Sequence, residues 1–388
     1  MAKKPFTPIP PMAELPPAED INVAELLDKY LAEEIDLICV LGPTASGKTR
    51  YAVQLARQIN ALLREKPGGC GVGLDGVAAR GLENGRGPRQ SRGRDEVGTC
   101  SDVARPDLHH NLPAQAEIIS ADSRQVYKGM DIGTGKDLSE YEEIPYHLMD
   151  IVDAGTKYNI FEYQRDFEKA YKDIVDRGCI PILCGGSGLY IEAATCGYSL
   201  PEVPPDPELR AELEKKSDEE LIAQLASLKP LHNNTDYDTR KRLIRALEIA
   251  IYEAEHPVVR TSFLPKNTYY IGTLVDRDER NALIDRRLDA RLEEGMVEEI
   301  RGLLDGSHPA LCTRQEDGNI TPGKPIPAED LIYYGLEYKF VTQYIIGELT
   351  LDQMRTQLAT AIHQFAKRQM TWFRGMERKG ITIHWTKV

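Results

Sequence analysis

The chain has 388 residues, 41% of them hydrophobic and 28% charged, and a formal net charge of −13. That is the make-up of an ordinary globular protein, long enough for a main domain and a smaller second one, and it excludes wholesale disorder, collagen-like repeats and disulfide miniproteins. So acidic a chain does not coat nucleic acid non-specifically, although a local basic groove is compatible with it.

Residues 1–20 are proline-rich and lack an apolar core, so they read as an extended tail and not as a signal peptide. With no apolar run of 18 residues anywhere, a membrane span is not expected and a cytoplasmic location is. A helix over 21–34 leads into an apolar strand over 35–41 and a turn at Gly42-Pro43, and a helix follows Lys48 to about residue 60. Residues 62–115 then carry ten glycines, four prolines and seven arginines with no apolar period, which predicts a flexible insertion. Within it Cys70, Cys100, His109 and His110 match no zinc-ligand spacing, and the seven cysteines of the chain contain no Cys-x-x-Cys pair.

The core resumes with strands over 117–122 and 180–184, the second ending in Gly185-Gly186-Ser187-Gly188, with a helix over 161–177 between them. Alternating strands and helices predict an α/β fold: a mostly parallel sheet with helices on both faces, formed by 21–61 and 116–200. Residues 201–265 read as a helical subdomain, with helices over 207–228 and 238–255. The span 266–388 returns to the core with a strand over 269–274, helices over 279–304, 327–347 and 351–375, and a final strand over 381–385.

The segment Gly42, Pro43, Thr44, Ala45, Ser46, Gly47, Lys48, Thr49 matches G-x-x-x-x-G-K-[ST] between a strand and a helix. There, backbone N–H groups and the helix N-terminus wrap a polyphosphate, Lys48 adds a point charge and Thr49 a hydroxyl for Mg²⁺. By motif alone the segment reads as nucleotide-binding, including ATP-binding, but phosphate binding names neither the nucleotide nor the reaction. An N-K-x-D motif of GTPases is absent. Asp122, at the end of a strand, can hold Mg²⁺ or accept a proton.

Taken together with Ser120-Ala-Asp-Ser-Arg-Gln-Val-Tyr127, Met130-Asp-Ile-Gly-Thr-Gly-Lys136, His147-Leu-Met-Asp-Ile-Val-Asp153 and Gly185-Gly-Ser-Gly-Leu-Tyr190, the P-loop segment resembles the ordered motifs of tRNA dimethylallyltransferases, also called tRNA isopentenyltransferases. Arg242-Leu-Ile-Arg-Ala-Leu-Glu248 and Ala366-Lys-Arg-Gln-Met-Thr-Trp-Phe-Arg374 extend the likeness to the C-terminal part. The resemblance implies a P-loop fold with a helical subdomain, and transfer of a dimethylallyl group from its diphosphate to N6 of the adenosine 3′-adjacent to the tRNA anticodon. It implies that the P-loop, Gly42 to Thr49, holds the prenyl diphosphate in place of ATP. Asp122 is then the general base, with Thr49 and Mg²⁺ beside it. Arg277 resembles the family's diphosphate-binding arginine, with Arg280 the competing choice. Ser123, Arg124, Gln125, Ser187 and Arg210 match positions of RNA contact.

Two basic clusters fit an RNA substrate: Arg240, Lys241, Arg242 and Arg245, and the stretch 361–379 with Lys367, Arg368, Arg374, Arg378 and Lys379. Phe365, Trp372 and Phe373 in the second cluster read as core. The implied partners are tRNA and dimethylallyl diphosphate, with no obligate protein partner. The alternatives are a small-molecule P-loop kinase, a prenyltransferase acting on free adenine nucleotides, and a non-catalytic RNA-binding protein. Tyr333-Tyr-Gly-Leu-Glu-Tyr-Lys339 departs from the family's glycine-tyrosine segment, and the insertion departs from the family pattern as well.

Overall fold

Strands covered on both faces need near-continuous apolar runs, and the chain supplies them at the points where the sheet forms. In the computed structural model, which describes residues 15–66, 113–197, 203–229, 239–256, 265–314 and 320–388, Val23–Leu31 (α1) precedes Leu37–Leu41 (β1) and Lys48–Glu65 (α2). Ala116–Ser120 (β2), Tyr146–His147 (β3), Ile160–Asp176 (α3), Ile180–Gly185 (β4) and Gly188–Thr195 (α4) follow. Every residue of β1, β2 and β4 is buried. Pro207–Leu213 (α5), Asp218–Leu228 (α6) and Arg240–Glu255 (α7) pack around Leu221, Leu225, Leu243 and Leu247 as a separate small core. Thr268–Leu274 (β5) returns to the sheet. After it come Arg277–Glu294 (α8), Met296–Asp305 (α9), a hairpin of Thr313–Arg314 (β6) and Ile320–Thr321 (β7), then Ala328–Tyr333 (α10), Leu336–Ile345 (α11), Leu351–Arg378 (α12) and Ile383–Lys387 (β8).

Among the described residues the main sheet has six strands, in the order β3-β2-β4-β1-β5-β8, and each neighbouring pair is parallel. Side chains alternate across the pleat. Leu37, Cys39 and Leu41 therefore join the larger core with α3, α4 and the C-terminal helices, while Ile38 and Val40 face α1 and α2. With β1 between β4 and β5, the turns after β1, β2, β4 and β5 open along one carboxyl edge, the usual place for a ligand in such sheets.

Several expected boundaries shift. The expected helix over 207–228 is two, because Ser217 and Glu220 form a capping box that starts α6. The expected helices over 279–304 and 327–347 are each broken at a glycine with positive φ, Gly295 at 103° and Gly335 at 144°. α2 continues to Glu65, so 62–65 belong to a helix and not to the insertion. The tail is anchored at its end, where Glu19 N–H donates to Trp385 O at 2.8 Å. Residues 1–14, the insertion from 67 to 112 with its cysteines and histidines, and the expected helix start at 238 lie outside the described residues.

Candidate active site

The P-loop leaves β1 at Gly42, where a Cβ would lie 2.1 Å from Thr273 Oγ1 and 2.5 Å from Ser46 Oγ. Only glycine fits so close an approach, and Ser46 and Thr273 close the turn with a 2.6 Å hydroxyl contact. The loop then runs into α2 with Gly47 at φ 74°, which sets Lys48 and Thr49 at the helix N-terminus. Sequence reasoning assigned no role to Gln369 of α12, yet its buried amide ties two loops together. Thr44 N–H donates to Gln369 Oε1 at 2.8 Å, and Gln369 Nε2 donates to Gly186 O at 2.8 Å. The two glycine turns are thereby held as one unit.

A cavity of about 440 Å³ opens over this carboxyl edge. Thr44, Lys48, Thr49, Asp122, Ser123, Arg124, Gln125 and Ser187 all line it, so residues from three separate motifs converge. Asp122 follows β2, and Arg124 N–H donates to its Oδ1 at 2.9 Å. That turn fixes the carboxylate at the cavity wall. Gln125 bridges Ser120 Oγ at 3.0 Å and Gly135 O at 3.1 Å, which makes it a wall brace as well as a lining residue.

Two quoted motifs prove to be scaffolding around the cavity. The Met130–Lys136 loop wraps the carboxylate of Glu299, which accepts from the N–H groups of Asp131, Ile132 and Gly133 at 2.9, 2.7 and 3.1 Å and from Tyr338 Oη at 2.7 Å. Lys136, buried, donates to Tyr127 O at 2.6 Å and pairs with Asp131 at 2.6 Å and with Asp150, joining this loop to the 147–153 motif.

The arginines that line the cavity are not the two that the resemblance suggested. Arg277 is exposed at the first turn of α8, and neither it nor Arg280 lines the cavity. Arg287 and Arg291 do. Position along the helix accounts for this: Ile284, Arg287, Leu288 and Arg291 lie where α8 meets Thr44 and Ala45, whereas Arg277, within about 40° of Arg291 in phase, lies ten residues, about 15 Å of helix, before Arg287. Arg291 is buried with Nη2 lacking a hydrogen bond, 3.5 Å from Asp137. Burial lowers its pKa and repulsion from Arg287 adds to this, against Glu337 and Asp137. Burial likewise lowers Lys48, with Cys184 opposing and Arg287 contributing. Glu337, at the start of α11, also lines the cavity. Burial raises its pKa against the pull of Arg291 and Arg287. Two dehydrated cations, Lys48 and Arg291, with Arg287 beside them and paired to Asp137, give this P-loop cavity a cationic wall suited to an anion.

The expected RNA residues divide. Arg210 and Arg245 are held by the buried Glu248: Arg210 Nη2 lies 2.8 Å from its carboxylate, Arg245 Nη1 also pairs with it, and Arg245 Nη2 donates to Val203 O at 2.9 Å. With Lys241 they line a groove of about 1490 Å³ between α7 and the start of α3, whereas Arg242 is exposed outside it. Phe373 is buried as expected, but Trp372 and Phe365 are 41% and 37% exposed. Trp372 Nε1 donates to the buried Glu192 at 2.9 Å, and Phe365 lines the cavity under Arg368.

Comparison with known proteins identifies the family. A family described as IPP transferase matches residues 125–376. The tRNA dimethylallyltransferase 2 of Bacteroides fragilis is 48% identical over 356 residues, covering 91% of this chain and 92% of that protein. That of Porphyromonas gingivalis is 48% identical over 353 residues, covering 90% and 93%. Among solved structures, the tRNA isopentenylpyrophosphate transferase of Bacillus halodurans aligns with a TM-score of 0.50 at 27% identity, over 91% of this chain and 89% of that one. A eukaryotic dimethylallyltransferase described as acting on tRNA shares the fold, with a TM-score of 0.57 at 20% identity over 87% and 69%. These likenesses favour a tRNA-modifying transferase over a small-molecule kinase, a free-nucleotide prenyltransferase or a non-catalytic RNA-binding protein. By family match and by identity over nine-tenths of its length, the chain belongs to the tRNA dimethylallyltransferase family.

Proposed function

We propose that the cavity at the carboxyl edge of the sheet is the transfer site, with the P-loop holding dimethylallyl diphosphate and Asp122 acting as base. The reaction moves a dimethylallyl group from its diphosphate to N6 of the adenosine just 3′ of the anticodon. N6 is a weak nucleophile because its lone pair is delocalised into the ring, so loss of its proton must accompany bond formation. In this reading the N6–C1 bond forms as the C1–O bond breaks, the bonding pair leaves with diphosphate, and the N6 proton passes to Asp122. Lys48, Arg287 and Arg291 stabilise the charge that grows on the leaving group. The observation that carries the reading is the buried Arg291 guanidinium, with an unbonded Nη2, in the same cavity as Lys48 and Asp122.

Mg²⁺ fits the residues present. Among the described residues no cluster of three His, Cys, Asp or Glu side chains could hold a metal unaided. Thr49 lines the cavity and its hydroxyl would hold a magnesium ion, with Asp122 left free to act as base. When bound the ion neutralises charge on the diphosphate.

The target base must leave the RNA stack to enter this cavity. Ser123, Arg124 and Ser187 line the wall it meets, and the groove beside α7, with Lys241 and Arg165, suits the phosphate backbone. Among the described residues no helix is long and apolar enough to cross a membrane, and the reading places the enzyme in the cytoplasm with its tRNA. Incubation with labelled dimethylallyl diphosphate and total tRNA tests the assignment: label should appear in N6-prenylated adenosine after nucleoside digestion. Phosphate transfer from ATP without prenyl transfer would overturn it.

A further inference from the structure

Tyr333 closes α10 and is 55% exposed, while the next residue, Tyr334, is buried. Tyr334 is fixed twice: its hydroxyl donates to Thr156 O at 2.6 Å, and its ring meets Tyr127 edge-on at 4.6 Å. The anchored ring stands 6.2 Å from that of Tyr333 at 68°, so the backbone presents the exposed ring in a defined place. The Arg124 guanidinium lies 5.4 Å from the Tyr333 ring centroid. Tyr333 lines both the cavity and the groove beside α7, and so stands at their junction.

A large aromatic ring held out to solvent beside a guanidinium is the pairing that proteins use to stack unpaired bases. Extruding the target adenosine also strips its neighbour of a stacking partner, leaving one base face uncovered. That face emerges where the cavity, which takes the target base, meets the groove, which takes the backbone. We propose that Tyr333 is a stacking platform for the nucleotide adjacent to the extruded adenosine, with Arg124 supporting the ring. This assignment rests on the reading of the cavity as the transfer site. The ring itself arrives from a part of the chain that departs from the family pattern, while Arg124 and Tyr127 of the Asp122 segment hold it in place, the latter through Tyr334.

The test uses the full-length enzyme and an anticodon stem-loop RNA with 2-aminopurine at the position flanking the target adenosine. Tyr333→Ala should raise the KM for this RNA about 5- to 150-fold, the range for one lost base–aromatic stack. The KM for dimethylallyl diphosphate and the kcat at saturating RNA should stay at wild-type values. Tyr333→Phe should behave as wild type, since stacking does not use the hydroxyl. Binding should quench 2-aminopurine fluorescence with the wild type and Tyr333→Phe but not with Tyr333→Ala. An unchanged RNA KM in Tyr333→Ala, equal loss in Tyr333→Phe, or identical quenching by all three proteins would each overturn the platform. Asp122→Ala run in parallel separates the two readings. If it retains full activity the transfer-site reading fails, whereas if it is slow while Tyr333→Ala binds RNA normally, only the platform fails.

Discussion

Asp122 and Lys48 meet in one cavity although they come from different turns of the sheet edge, and each makes a distinct kinetic prediction. Asp122→Ala should slow prenyl transfer about 10²–10⁴-fold, the range for a lost acid/base group, with tRNA affinity unchanged in a filter-binding assay. An equal loss of binding would make the residue structural. Lys48→Ala should lower kcat about 10²–10³-fold, as for removal of one transition-state donor, and raise the KM for the prenyl diphosphate as well. Steady-state rates at saturating concentrations of both substrates check this. Gln369→Leu leaves Thr44 N–H and Gly186 C=O without their partner, at about 1–3 kcal/mol for each buried group left unpaired. The expected readout is a lower denaturant midpoint together with a raised KM for the prenyl diphosphate only. Lys48, Thr49 and Asp122 were legible because each sits inside a short local pattern with a mechanical reason for its spacing. Arg287 and Arg291 were not, since what sets them over the cavity in place of Arg277 is their position along α8 relative to the P-loop, which no local motif encodes. A signal was present in the four-residue spacing of Ile284 with Leu288 and of Arg287 with Arg291 on one helix face. Gln369 lay inside a quoted motif, but its partners are 325 and 183 residues away.

At the level of elements, the helical subdomain depends on one buried carboxylate. Glu248 on α7 accepts from Asp206 N–H at 2.7 Å and from Arg210 Nε at 2.9 Å, which ties α5 and its leading turn to α7. Burial pushes its pKa up, but the hydrogen bonds from Arg210, Asp206 and Arg245 outweigh this and hold it at about 2. A carboxyl with a folded pKa below its unfolded value, near 4.5, favours the fold when ionised. Its contribution is complete above the unfolded value and is lost as pH falls from there through about 2. Thermal melts across that window should show a drop for the wild type that is absent in Glu248→Gln. Glu248→Ala should cost about 1–3 kcal/mol at neutral pH, less than the 3–5 of a fully buried pair, because the arginines can rehydrate. Periodicity located these helices but not their ends. Apolar spacing runs on across Ser217, Gly295 and Gly335, and the breaks come from a capping box and two positive φ angles, which are backbone events that an apolar pattern does not record. The strands were easier to read, since β1 and β4 are buried on both faces and can be little else.

Across the whole molecule, the chain leaves the core after α2 and returns at β2 almost where it left. Ala116 N–H donates to Asn60 Oδ1 at 2.7 Å. Exchanging residues 67–112 for a Gly/Ser linker of about eight residues should therefore keep the thermal midpoint level or raise it, since loop closure changes by only about 1–2 kcal/mol over such a length. Prenyl transfer should persist, because Lys48, Thr49 and Asp122 lie outside the exchanged stretch. A variant that folds but no longer binds tRNA would instead make the arginines of that stretch RNA contacts.

The Gln369 bridge also has a bearing on how the enzyme is made. A ribosome delivers the P-loop early and α12 late, with 325 residues between Thr44 and the amide that holds its N–H. A half-synthesised chain thus carries the phosphate motif in full yet lacks the side chain that clamps it to the second glycine turn. Such distant pairings form slowly and only once both partners exist. If the P-loop holds a prenyl diphosphate, its affinity should rise at the close of translation, and nascent chains stalled before residue 369 should hold the ligand more weakly than the full chain.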